Sequence, residues 1–128
     1  MVTIKVVVNG ATGRMGAETV AAICRQDDLE LVGAACRRER GATLSLPGGG
    51  QTPLSTSLAD ILEQTRPDVV VDFTNATACM DAVPVAAAYS ANMVLGASGL
   101  TSEHLKQLDA LAQIALKLEM DPGRVSTL

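Results

Sequence analysis

Three glycines, Gly10, Gly13 and Gly16, follow the apolar run Ile4-Lys5-Val6-Val7-Val8 and open a stretch of helical character. Glycine at the end of a strand lets the chain turn sharply, a second lets backbone amides approach an anionic ligand, and a third lets the next helix lie close on the strand. The first amides of such a helix have no partner inside it and carry partial positive charge. Thr12, Gly13, Arg14 and Met15 can therefore hold a dinucleotide pyrophosphate without an obligatory cationic side chain. Turn and packing needs also produce this spacing, so the strand before it and the helix after it give the pattern its weight.

A second group of residues bears on which dinucleotide. Where the ribose carries a free 2′-hydroxyl, a carboxylate about 20 residues beyond the glycines bonds it and repels a 2′-phosphate. Here the second strand runs into Cys36-Arg37-Arg38, followed by Glu39 and Arg40. That local balance is cationic, and an arginine fork matches a phosphate. NADPH is favoured over NADH, with one charge-assisted contact of ~1.5–3 kcal/mol giving roughly a ten- to hundredfold preference. The other reading is that Arg37 and Arg38 form a solvated loop face.

Other chemistry is thin. A nucleophilic Cys or Ser needs a base and an orienting partner, and His104 is the one histidine in the chain. It stands early in a helix between Glu103 and Leu105, where an exposed helix position is the simpler reading, and it is assigned no role. Asp68 and Asp72 share one face of a strand by alternation, but their neighbours are apolar. Asp72, near a sheet end, is expected to orient backbone donors rather than act in a catalytic pair. No catalytic residue and no metal site is assigned, since Cys24, Cys36 and Cys79 are odd in number and widely spaced, which fits neither a zinc site nor a disulfide framework.

The elements that must position these residues alternate between β-branched runs and stretches of helical period, the pattern of βαβ units and a parallel sheet. Strands are expected at 3–9, 29–36, 68–73 and 93–95. A crossover helix is expected at 14–25 with Val20, Ile23 and Cys24 on its apolar face. A short helix at 58–64, capped by Ser57 and ended by Pro67, and a weaker one at 76–90, kinked or broken by Pro84, follow. Leu105, Leu108, Leu111, Ala112 and Ala115 give a last helix its apolar stripe, which Asp121-Pro122-Gly123 stops. Residues 41–53, with Gly48-Gly49-Gly50, read as a flexible loop, and 124–128 as a tail. Ligands of such sheets bind beyond the carboxyl ends of the strands where strand order reverses. The segments after the first strand, after Val71-Asp72 and after Met93-Val94-Leu95 should meet there.

Size and composition agree. The 128 residues suffice for one domain, divided into a dinucleotide-binding domain at 1–118 and a tail at 119–128. Hydrophobic residues are 48% of the chain and aromatic ones 2%, so the core is aliphatic, as in sheets covered on both faces. A net charge of −4 with so few rings argues against nucleic-acid partners. No signal peptide is legible before the first strand, and no apolar run approaches the ~20 residues of a membrane span. A cytoplasmic protein with no membrane partner is expected.

Three strings, Val8-Asn9-Gly10-Ala11-Thr12-Gly13-Arg14-Met15-Gly16, Val71-Asp72-Phe73-Thr74 and Gly96-Ala97-Ser98-Gly99-Leu100, together resemble the 4-hydroxy-tetrahydrodipicolinate (dihydrodipicolinate) reductases. The likeness extends as far as Gln113. It implies an α/β fold, a Rossmann-type doubly wound parallel sheet that binds NADPH, or NADH, for hydride transfer to a cyclic precursor in lysine (diaminopimelate) biosynthesis. It implies that Gly10, Thr12, Gly13, Arg14, Met15 and Gly16 hold the pyrophosphate and that Arg37 or Arg38 meets the ribose phosphate. Phe73, Thr74, Gly96, Ala97, Ser98 and Gly99 would lie against the nicotinamide ribose and ring. Two departures stand out. The family's Gly-Thr-Thr-Gly is Gly-Ala-Ser-Gly here, with no hydroxyl at Ala97. The substrate domain, and a strand ending in Asn-Phe-Ser after the last helix, have no counterpart. The expected partners are the dinucleotide and either a separate substrate domain or further copies of the chain. The competing reading is a non-catalytic nucleotide-sensing or CoA-binding module, and a third is a fragment that self-associates through its sheet edge.

Overall fold

A computed structural model describes residues 3–96, 99, 101–108 and 125–127. In chain order the elements are β1 (Ile4–Asn9), α1 (Arg14–Cys24), β2 (Leu29–Ala35), β3 (Thr43–Ser45), β4 (Gln51–Ser55), α2 (Leu58–Thr65), β5 (Val69–Asp72), α3 (Ala76–Ala88), β6 (Asn92–Leu95) and β7 (Val125–Thr127). They build one sheet of order β3-β4-β2-β1-β5-β6-β7, parallel except for the β3–β4 pair. Order runs outward from β1 in both directions, so the reversal falls between β1 and β5. This is the doubly wound architecture expected.

The valine runs explain the two-sided core. On β1, Val7 joins one cluster with Ile61, Leu62, Val70, Cys79, Val83 and Met93, which α2 and α3 cover. Val6 and Val8 join the other, with Val20, Ile23, Ala34 and Leu54, under α1. Successive residues of a strand point to opposite faces, so only a central strand buried on both sides carries an unbroken apolar run.

Several local expectations are corrected. Residues 41–53 contain the β3–β4 hairpin, closed by Gly48, Gly49 and Gly50 at φ +85°, +107° and +84°. The glycines serve a turn, and Leu54, buried in the core, anchors the strand that follows it. The buried stripe of α1 is Gly16, Val20 and Ile23, and Cys24 is exposed. Helix α3 runs unbroken through Pro84, at a position facing solvent, while Cys79, Ala82, Val83 and Ala86 hold it on the sheet. That packing outweighs the ~3 kcal/mol that an internal proline costs. Ser57 caps α2 as expected, its Oγ accepting from the Asp60 amide at 3.2 Å.

Helical backbone is described over 102–108, where Leu108 packs on the core but Leu105 is half exposed. Leu111, Ala112, Ala115 and the stop at 121–123 lie outside the described residues. His104 is engaged at the start of this helix. Its Nδ1 accepts from the Thr101 amide at 3.0 Å and its amide donates to the Thr101 hydroxyl at 3.3 Å. Residues 125–127, expected as tail, form β7 beside β6. An edge strand leaves a row of unpaired backbone groups, which β7 takes up along β6.

Candidate functional site

Strand register assembles the site. Ala35 of β2 lies opposite Asn9 of β1, Asn9 opposite Asp72 of β5, and Asp72 opposite Leu95 of β6, so four strands end abreast. Beyond Asn9 the chain turns at Gly10, whose φ of +85° favours glycine. The amides of Gly10 and Ala11 both donate to the Ala35 carbonyl, at 2.9 and 3.1 Å, which ties the turn to β2. The Gly13 amide returns to the Gly10 carbonyl at 3.1 Å.

Gly13 is the N-cap of α1 and supplies no side chain; its carbonyl accepts from the Ala17 amide at 2.9 Å. Among the described residues nothing accepts from the amides of Arg14, Met15 or Gly16. Free donors and the positive end of the helix dipole therefore coincide there. Gly16 itself is buried beneath the turn, where a Cβ would lie 1.8 Å from the Gly10 carbonyl oxygen.

The turn opens on a crevice of about 1150 Å³ at the β1/β5 reversal. Gly10, Thr12, Gly13, Arg37, Phe73 and Thr74 line it, six of the residues that the sequence singled out. Arg14 and Met15 begin α1 beside it without lining it, and Met15 is exposed. Arg38 stands outside the lining, at the bend that it forms with Arg37 after β2. Gly96 seats the Phe73 ring, since a Cβ there would lie 2.3 Å from it. Gly99 is exposed, and Ala97 and Ser98 lie outside the described residues. The three expected segments do meet, as a Cβ on Gly10 would be 3.2 Å from both the Phe73 carbonyl and the Thr74 methyl.

The crevice also takes in Thr56, Ser57 and Leu58 at the start of α2, and Asn75, Thr77 and Asp81 on or before α3. Ser57 is expected from the sequence only as a cap, and Asn75 is not among the expected site residues. Asn75 caps α3, its Oδ1 accepting from the Ala78 amide at 2.9 Å. A capping residue directly after a strand of parallel type marks a helix start at the carboxyl edge, and that signal was available at both positions.

Charge around the mouth comes from the loop after β2 and from Asp81 of α3. The Glu39 carboxylate accepts from the Gly41 amide at 3.1 Å and so is engaged with its own loop. The Cys36 thiol donates to the Arg38 carbonyl at 3.1 Å, which pins the backbone around Arg37. Among the described residues the one ion pair is Arg66 with Glu63, remote from the crevice, so no carboxylate neutralises Arg37.

Burial raises the Cys36 thiol above its usual range, with the Glu39 charge adding. Burial, with the Asp72 charge behind it, pushes the Cys79 thiol up to about 11. Both thiols stay protonated and shielded near neutrality, whereas Cys24 is exposed. Iodoacetamide at mildly alkaline pH should label Cys24 first, as followed by peptide mass spectrometry. Labelling of Cys79 as fast as Cys24 would contradict this.

Comparison with known proteins follows the same lines. Residues 4–118 match the family described as dihydrodipicolinate reductase, N-terminus. A 4-hydroxy-tetrahydrodipicolinate reductase of Dehalococcoides mccartyi is 45% identical over 114 residues, 88% of this chain and 43% of that protein. Among solved structures, dipicolinate-bound dihydrodipicolinate reductase from a Paenisporosarcina species superposes with a TM-score of 0.72 at 26% identity, over 88% of this chain and 44% of that one. GenD2 of gentamicin A biosynthesis, in complex with NAD, shares the fold at a TM-score of 0.73 and 20% identity, over 99% of this chain and 34% of that one. The chain thus spans less than half the length of the relatives it matches. Among the described residues no helix is long and apolar enough to cross a membrane.

Proposed function

Because the chain belongs to the dihydrodipicolinate reductase family, whose N-terminal region it matches, we propose that it is the dinucleotide-binding half of such a reductase and takes NADPH in preference to NADH. The observation that carries this reading is that the unpaired α1 amides directly follow Thr12 and Gly13, which line a crevice at the strand-order reversal. The residues present fit the group. Gly10, Thr12 and Gly13 leave room for the pyrophosphate, and the amides of Arg14, Met15 and Gly16 supply donors. Arg37 supplies the charge for a 2′-phosphate. Phe73, Thr74 and the turn at 96–99 would flank the nicotinamide ribose and ring.

When bound, the cofactor supplies the hydride; this chain's residues fix where the ring lies and keep its face in a walled crevice. The acceptor under this reading is the cyclic dicarboxylate 4-hydroxy-tetrahydrodipicolinate, on the route to diaminopimelate and lysine. Recognition of its carboxylates and its protonation are assigned to the part of the relatives' length that this chain does not span. The three free thiols fit a reducing cytoplasm.

Calorimetric titration with NADPH, NADH and CoA tests the proposal. One NADPH should bind per chain, NADH roughly ten- to hundredfold more weakly, and CoA not measurably. Binding of CoA alone, or of none of the three, would overturn it.

A further inference from the structure

We propose that Asp72 is a positioning residue for the nicotinamide half of the bound dinucleotide, acting through Thr74 and Asn9. This rests on the reading just given. Asp72 ends β5 at the strand-order reversal and is fully buried. Its Oδ2 accepts from the Asn9 side-chain amide at 2.9 Å, and its Oδ1 accepts from the Thr74 backbone amide at 2.9 Å and from the Thr74 hydroxyl. A buried carboxylate is tolerated where donors surround it, and charge-assisted bonds are the stronger kind. Both of its partners line the crevice, one at the end of β1 and the other behind β5.

The consequence is a fixed rotamer at Thr74. Its hydroxyl turns inward onto Asp72, so its methyl faces Gly10, 3.2 Å from where a Cβ of that glycine would sit. Backbone bonds complete the clamp. The Phe73 amide donates to the Asn9 carbonyl at 3.0 Å and the Gly96 amide to the Asp72 carbonyl at 2.7 Å. The carboxylate thereby sets the level of the Phe73-Thr74 step against the first glycine turn and against the Gly96 seat of the Phe73 ring. With Arg37 on the β2 side marking the adenosine end, the β5–β6 side is the nicotinamide end, because a dinucleotide lies across the reversal with one half on each side.

The test titrates wild type, Asp72→Asn and the exchange variant Asn9→Asp/Asp72→Asn with NADPH and with adenosine 2′,5′-bisphosphate, which lacks the nicotinamide half. The single variant removes the carboxylate charge that the Asn9 amide and both Thr74 donors share, so it should weaken NADPH about tenfold while the bisphosphate changes less than about twofold. In the exchange variant the carboxylate at position 9 accepts from the amide at position 72, whose oxygen still faces Thr74, and NADPH affinity should return to within about threefold of wild type. Equal losses for both ligands, or an exchange variant no better than the single one, would overturn the proposal. Should Asp72→Asn fail to fold, the exchange variant decides alone: recovery supports the proposal and failure sinks it. Wild type binding neither ligand would instead overturn the dinucleotide reading beneath it.

Discussion

Gly16→Ala should destabilise the fold by about 3 kcal/mol and weaken NADPH binding by more than about a hundredfold. The added methyl would sit 1.8 Å from the Gly10 oxygen, 2.7 Å from the Gly10 carbonyl carbon and 2.9 Å from the Ala11 Cα. All three are backbone atoms, so no side chain can swing aside. Relief requires α1 to move off β1, which opens the turn that Gly13 closes onto Gly10 and displaces the three unpaired amides together. Helix packing and the proposed anion binding thus depend on one missing Cβ. Gly13→Ala is the control. Its Cβ would meet only the Gly10 oxygen, at 3.5 Å, and its φ of −78° suits any residue. Stability should fall by about 1 kcal/mol or less, while the methyl on the crevice wall impairs binding. Denaturant unfolding and calorimetry on both variants check this. A Gly16→Ala protein as stable as wild type would contradict the close approach.

How far the sequence could be read depends on where each signal resides. The Val6-Val7-Val8 and Val69-Val70-Val71 runs announce strands buried on both faces because no other element needs an unbroken β-branched run at those lengths. Ser57 announces a helix start through its own hydroxyl. The β3–β4 hairpin was hidden because three glycines describe a turn and a flexible linker equally well, and only the seating of Leu54 in the core separates the two. Cys24 and Ile23 are neighbours in sequence, and which of them faces the sheet is fixed by the helix rotation that buries Gly16 and Val20. Gly96 reads as a ligand contact in sequence, and the fold adds a packing reason for a glycine there, the seat of the Phe73 ring. Asp72 was legible as an orienting group, but its partner Asn9 lies 63 residues away along the chain and only strand register brings them level. What the sequence conceals is consistently the partner across the sheet.

Arg37→Ala should raise the dissociation constant for NADPH about ten- to hundredfold, leave that for NADH within about twofold, and so abolish most of the preference. Arg38→Ala should change neither by more than about twofold. The sequence offers the two arginines as equivalents; the fold separates them. Arg37 lines the crevice, and Arg38 stands outside it. The backbone between them is held by the Cys36 thiol on the Arg38 carbonyl, so the two side chains cannot readily exchange places. Glu39, the residue best placed by type to repel a phosphate, is bonded to the Gly41 amide. Because the Arg37 guanidinium is exposed, its attraction for a phosphate is screened by salt, and the preference should shrink as ionic strength rises. Titrations of the two single variants at low and high salt read all of these effects. A loss confined to Arg38→Ala would mean that the loop after β2 turns over when the nucleotide binds. An unchanged NADPH-to-NADH ratio in both variants would place recognition of the ribose elsewhere, with the α2 start at Thr56 and Ser57 the next group in reach of the same crevice.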